Sequence, residues 1–130
     1  VLGDMRYISS EQKDQVKKEM MHIVNEHLPW TNAKIAFIDG IPPMPPTENN
    51  RQLLNIYSSV SEKLGYGKVS EENIGERGAG DISYIAPLVK FNLAGLGPYG
   101  KNTHSDQETL YVPSLVTQTQ RTALLLYRLI

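Results

Sequence analysis

The sequence predicts an α/β chain in two parts, and three observations predict it. Residues 1–45 read as strand, helix, strand, which is half of a ferredoxin-like α+β unit. A segment with four prolines, Gly40-Ile-Pro-Pro-Met-Pro-Pro46, then interrupts every periodic pattern. Beyond it, a glycine-rich loop joins a short apolar run to a long helical one, the place where an α/β protein usually puts its chemistry.

Asp4-Met-Arg-Tyr-Ile8 alternates and predicts a first strand. Ser9, three residues before Gln12, reads as a capping box that starts a helix. Val16, Met20, Ile23, Val24 and Leu28 recur at helical spacing as its buried stripe, and Lys13, Asp14, Lys17, Lys18 and Glu19 form its wet face. Pro29 requires the helix to stop before it, because a residue preceding proline leaves the α region. His22 and His27 lie on this stretch and read as structural or solvated. Residues 33–39 form a second strand candidate.

The proline segment cannot donate ladder hydrogen bonds and favours extended geometry, so it is read as a linker and the domain boundary: 1–45 before it, 46–130 after. Its Pro-x-x-Pro spacing is also that of ligands for aromatic grooves, the lesser reading between two periodic regions. Thr47 caps a second helix with Leu53, Leu54, Tyr57, Val60 and Leu64 as its buried stripe and Gly65 as its stop. Glu76-Arg-Gly-Ala-Gly-Asp81 is a first glycine loop, with Asp81 placed to cap a turn over 82–86. Such a loop is either a tight turn or, feeding a helix N-terminus, an anion site. Residues 91–96 supply a buried strand. Pro113 opens the last helix, whose Leu115, Val116, Ala123, Leu126, Tyr127 and Ile130 make it amphipathic, with Arg121 and Arg128 in solvent.

Composition narrows the function classes. A net charge of −1 from 13 basic and 14 acidic residues gives no basic excess for nucleic acid. No apolar run approaches the roughly 20 residues a membrane span needs. With no cysteine, disulfides and thiolate metal sites are excluded, and any metal must use His, Asp or Glu. The chain opens on Val1 without a signal-peptide pattern, and a start directly into strand-like sequence suggests a piece of something longer.

The chemistry-bearing stretch is Leu93-Ala-Gly-Leu-Gly-Pro-Tyr-Gly-Lys-Asn-Thr-His-Ser-Asp-Gln-Glu108. Its glycines let the backbone turn sharply, and His104 sits near its end beside Ser105, Asp106 and Glu108. Imidazole is the commonest protein metal ligand and the usual proton shuttle near neutral pH, although a lone loop histidine is most often solvated.

Gly95-Leu-Gly-Pro98, then His104-Ser-Asp-Gln-Glu108, then Ser114-Leu115 opening a helix, resembles the C-terminal signature of the dizinc metallopeptidases of the glutamate carboxypeptidase, aminoacylase and succinyl-diaminopimelate desuccinylase family. Upstream, Gly78-Ala-Gly-Asp81 with Ile82-Ser-Tyr-Ile-Ala86 is similar to that family's glycine-rich segment, and Asp4-Met-Arg6 to its Asp-x-Arg at the end of a lid strand. The resemblance implies the C-terminal part of a three-layer α/β/α catalytic domain preceded by part of a ferredoxin-like lid. It implies His104 as the last zinc ligand, and Glu108 as a group that orients the histidine or its loop. Arg6 would grip the substrate carboxylate, and Gly78, Gly80 and Asp81 would line the cleft. Ile41 departs from forms of the pattern with a second arginine, and Ala79 and Gly80 depart from its stricter glycine-pair form.

The function implied is a zinc-dependent peptidase or amidohydrolase acting on a peptide or N-acyl amino acid, with two zinc ions in the complete enzyme and a homodimer formed through the lid. The remaining ligands and the general base would lie upstream of Val1. No catalytic residue is therefore assigned in this chain, and the chain alone is expected to bind zinc weakly and to be inactive. The last helix and the strand before it are expected to expose core, because in the family they pack on the rest of a parallel sheet. Two other classes compete: a non-catalytic dimerisation or binding module using unpaired strand edges, and a small hydrolase using His104 with Ser105 or Asp106.

Overall fold

The computed structural model describes residues 1–76 and 78–130. The first glycine loop thus lies in part, at Arg77, outside the described residues. The protein is a mixed, helix-rich α/β chain whose described residues hold four α-helices, a 3-10 turn over Ala86–Leu88 and one two-stranded sheet. It divides into two compact units, residues 1–45 with 73–89 and residues 46–72 with 90–130.

In the first unit, α1 (Ser10–Asn25) begins as its sequence requires. Ser9 Oγ accepts from Gln12 N at 3.2 Å, and Gln12 reaches back to accept from Ile8 N at 2.9 Å. The helix ends four residues before Pro29. The covered side of α1 takes from both expected faces. Val16 and Val24 of the expected stripe and Lys13 and Lys17 of the expected wet face are half-buried, while Met20, Ile23 and Leu28 are exposed and α1 fully buries no residue. A charge draws the two lysines in. Asp39 receives Lys17 Nζ at 2.5 Å and Lys13 Nζ at 3.7 Å, and the two ammonium groups lie over the rings of Phe37 and Tyr7. Segments 4–8 and 33–39 form no strands, which corrects the strand expectation for both. A strand exists only through its ladder, and neither segment has a ladder partner among the described residues. α3 (Ile82–Ile85) is a single turn. Asp81 precedes it in helical geometry without a side-chain cap bond, so the expected cap is absent. One turn is also too short for the anion site considered for that loop.

In the second unit, Thr47 Oγ1 accepts from Asn50 N at 3.2 Å and starts α2 (Glu48–Lys63). The helix stops in a Schellman motif. Gly65 takes the left-handed φ of 79°, its N–H bonds Glu62 O at 3.0 Å, and Tyr66 N bonds Ser61 O at 2.9 Å. α2 packs on α4 (Pro113–Leu129). The buried apolar side chains of the described residues are Tyr57 and Val60 on α2 and Leu125 on α4. The expected stripe of α2 is therefore inward, with Leu53, Leu54 and Leu64 half-buried.

The expected stripe of α4 is not. Leu115, Val116, Leu126 and Tyr127 are exposed, and Arg121, expected in solvent, is half-buried. Hydrogen bonding turns α4 this way. Arg121 donates to Ser61 Oγ at 2.9 Å, to Gln118 Oε1 at 3.2 Å and to Tyr66 O at 3.1 Å, and the Tyr57 hydroxyl donates to Gln118 Oε1 at 2.8 Å. Residues 91–96 form no strand, which corrects a third expectation. Asn92 N instead donates to Asn50 Oδ1 at 2.9 Å, tying the segment to α2 by a side chain rather than a ladder. The sheet is β1 (Gly100–Lys101) antiparallel to β2 (Thr109–Leu110), with Gly100 opposite Leu110 and Lys101 opposite Thr109. Among the described residues no helix is long and apolar enough to cross a membrane.

Two outcomes test these contacts. Leu125→Ala, which empties a buried site between α2 and α4, lowers the stability of the second unit by about 2–5 kcal/mol in denaturant melts. In the first unit, the hydrogen bond from Lys17 holds the Asp39 carboxyl below its usual range. A depressed carboxylate stabilises above its unfolded pKa of about 3.9, and the contribution is lost as pH falls through the folded value. An NMR titration finds the Asp39 midpoint below about 3.9, and Lys17→Met returns it toward that value.

Candidate functional site

The loop that carries His104 is a closed hairpin. β1 and β2 pair at its neck, and Tyr111 N donates to Tyr99 O at 3.0 Å just outside them. The two tyrosine rings meet at a tilt of 30° with centroids 5.6 Å apart. Gly100 is required at the neck, because a Cβ there would run into the carbonyl of Thr109. Beneath the neck lies Ser114, 1% exposed in the first turn of α4. Its hydroxyl accepts from Tyr99 N at 3.1 Å and donates to Tyr111 O at 2.5 Å, so one side chain holds both arms.

The tip, residues 102–108, is folded on itself. Asn102 and His104 both take left-handed backbone, with φ of 56° and 66°. That region is open to asparagine and histidine more often than to most side chains, yet it costs on the order of 1 kcal/mol per residue and needs local support. Ser105 supplies part of it: its hydroxyl donates to Asn102 O at 2.7 Å and accepts from Gln107 N at 3.2 Å. Asn102 Nδ2 donates to Gln107 O at 3.3 Å. Glu108 supplies the rest, with Oε2 accepting from the His104 backbone N–H at 3.3 Å. The carboxylate thus fixes the histidine's main chain, while the imidazole stays on the exposed tip.

This geometry disfavours the small-hydrolase reading. The Ser105 hydroxyl is engaged with main-chain groups on both its donor and acceptor sides, and no hydrogen bond joins it to His104 among the described contacts. The hairpin suits a different task, the rigid presentation of one imidazole to a group outside the loop. As a zinc ligand His104 has the right donor chemistry. Among the described residues, though, no three His, Asp or Glu side chains converge to complete a site around it.

The other sequence-predicted residues lie in the first unit. The side chain of Arg6 is 90% exposed, and its Nε donates to Asp4 Oδ2 at 3.0 Å, a local surface ion pair. Among the described residues nothing stands within 4 Å of where a Cβ of Gly78 or Gly80 would be. Asp81 sits at the start of α3. His22 pairs with Glu26 at 3.4 Å on the exposed side of α1, and His27 Nδ1 lies 3.2 Å from Leu28 O.

Sequence reasoning missed the residues that shape the hairpin. In the sequence Ser114 reads only as a helix opener, Gly100 as one glycine among several, and nothing singles out Tyr99 or Tyr111. The available signal was a glycine beside one tyrosine, a second tyrosine across a polar loop, and a serine just inside a proline-started helix. Comparison of the chain with family models, curated proteins and solved structures gives no match.

Proposed function

We propose that this chain is the C-terminal part of a zinc-dependent peptidase or amidohydrolase, acting on a peptide or N-acyl amino acid, and that His104 is the ligand it contributes. The observation that carries the reading is the hairpin over residues 99–111. It is closed at its neck by Ser114 and holds an exposed imidazole on a tip braced by Glu108. A loop that invests buried hydrogen bonds and two left-handed residues in presenting one imidazole is built for a ligand more than for a turn. The motif resemblance at residues 78–86 and 95–115 supplies the metal and the reaction class.

Further support comes from α4. Its Leu115, Val116, Leu126 and Tyr127 form an exposed apolar face, and Leu96, Pro98, Leu115, Ala123 and Leu126 line an open groove beside it. A face of this kind fits the missing layer of a larger three-layer α/β/α domain. In the same reading residues 1–45 belong to the part through which the enzyme dimerises, and Arg6 exchanges its Asp4 partner for a substrate carboxylate. Bound zinc would supply Lewis-acid activation of the scissile carbonyl and of water. The chain's own residues supply one nitrogen donor, its orientation through Glu108, and a guanidinium for the carboxylate.

The test uses the protein that contains this chain. It carries about two zinc ions per polypeptide and hydrolyses dipeptides or N-acyl amino acids. His104→Ala lowers its zinc affinity more than about 100-fold and removes the activity. The 130-residue chain alone hydrolyses neither substrate and binds zinc only weakly. Tight stoichiometric zinc on the isolated chain, or unchanged zinc in His104→Ala, refutes the assignment.

A further inference from the structure

We infer that the exposed face of α4 is a homotypic interface, on which a second copy of this chain lays its own α4 antiparallel about a two-fold axis. The inference needs no metal and stands apart from the peptidase reading.

The order of residues along α4 carries it. Val112, Leu115, Thr119, Thr122, Leu126 and Leu129 follow one another at spacings of three, four, three, four and three. Val112 has helical backbone and extends the series one residue before α4. Such spacings keep one stripe along a helix, the seam on which two helices pack side by side. The stripe also reads the same in both directions, with an aliphatic pair at each end and a threonine pair at its centre. Turned about an axis between Thr119 and Thr122, Leu115 meets Leu126 of the second copy, Val112 meets Leu129, and threonine meets threonine. A surface that matches itself under a two-fold rotation is what a symmetric dimer requires.

The fold leaves this stripe open. Val112, Leu115, Leu126 and Leu129 are 64%, 42%, 57% and 53% exposed. They lie about a quarter turn from Ser114, Gln118, Arg121 and Leu125, the side held by α2 and the hairpin, so the pairing disturbs none of those contacts. The charged residues of α4 are Arg121 and Arg128, and helical spacing puts both on the far side. Two copies therefore meet without like charges on the seam. Thr119, Thr122 and Ala123 are small, and with Leu96 and Pro98 they line an open groove between Leu115 and Leu126. Small residues at mid-seam let two helix axes approach to about 8–10 Å. Val116 and Tyr127 flank the stripe and are exposed as well. At roughly 100 Å² for each side chain, stripe and flanks come near the ~800 Å² per partner of a standard interface.

The test uses the 130-residue chain. Sedimentation equilibrium should give twice the monomer mass at high concentration and the monomer mass on dilution. Leu126→Glu sets a carboxylate against Leu115 of the second copy and should raise the dissociation constant at least about 30-fold, the cost of losing an interface anchor. Adding Leu115→Lys to the same chain should recover most of that loss, because an antiparallel pair sets the two new charges against each other. Both leucines are exposed, so the contact of α2 with α4 and the helical circular dichroism should persist in each variant. Because the chain has no cysteine, crosslinking gives a second measurement that introduces no charge. A mixture of Val112→Cys and Leu129→Cys chains should form the mixed disulfide dimer. Neither chain alone should, since like positions lie about 25 Å apart across the axis.

A chain that stays monomeric at every concentration overturns the inference and leaves the face to a further layer of a longer polypeptide. A dimer indifferent to Leu126→Glu overturns it too and moves the contact to another surface. Crosslinking of Leu129→Cys with itself, but not with Val112→Cys, means parallel helices and overturns the two-fold antiparallel arrangement.

Discussion

The second unit depends on one buried hydroxyl and the arginine that finds it. Ser61 has no exposed surface. Its Oγ donates to Gly67 O at 2.5 Å and accepts from Arg121 Nε at 2.9 Å. A buried hydroxyl with both functions satisfied is inexpensive to bury, and one left half-satisfied would cost about 1–3 kcal/mol. Ser61 therefore requires Arg121 to face α2, and Arg121 sets the rotation of α4. The Tyr57 hydroxyl, whose pKa burial raises, adds a second tie by donating to Gln118. Gln118 then donates to Gly97 O at 3.0 Å and draws the glycine-rich segment to the helix.

The consequence is an unusual division of labour on α4. One face, made of Ser114, Gln118, Arg121 and Leu125, is spent on α2 and the hairpin through hydrogen bonds. The other, made of Leu115, Val116, Leu126 and Tyr127, is apolar and exposed. Apolar burial is the larger stabilising term per side chain, at about 1.5–3 kcal/mol for a leucine or valine. In the first unit Met20 and Ile23 of α1 are likewise exposed, while Val16 and Val24 are half-buried.

The local grammar of the chain was legible from residue order alone. Ser9 with Gln12, Thr47, Gly65 and Pro113 each mark a helix end, and the structure begins or ends α1, α2 and α4 at or next to them. Capping and φ preference act over three or four residues, so they need no tertiary information. Candidate strands fared differently. Residues 4–8, 33–39 and 91–96 have strand-like composition, but pairing is a long-range property, and the one ladder present joins Gly100–Lys101 to Thr109–Leu110, where no strand was expected. At the site, His104 and Glu108 were visible as residue types at a recognisable spacing. Ser114's role was not, because it depends on two backbone groups that only folding brings to its hydroxyl.

By itself, then, the sequence determined where the helices begin and end, that no thiolate can serve a metal, and which imidazole stands in the glycine-rich loop. The tertiary structure alone decided which side of each helix is covered. On α1 Asp39 draws Lys13 and Lys17 in beside Val16 and Val24, and on α4 the arginine face won through Ser61. Hydrophobic periodicity reports which face can be buried, whereas a buried polar group must find its partner in three dimensions. Where those two demands point to different faces, as on α4, the hydrogen bond sets the rotation of the helix and the apolar stripe stays exposed.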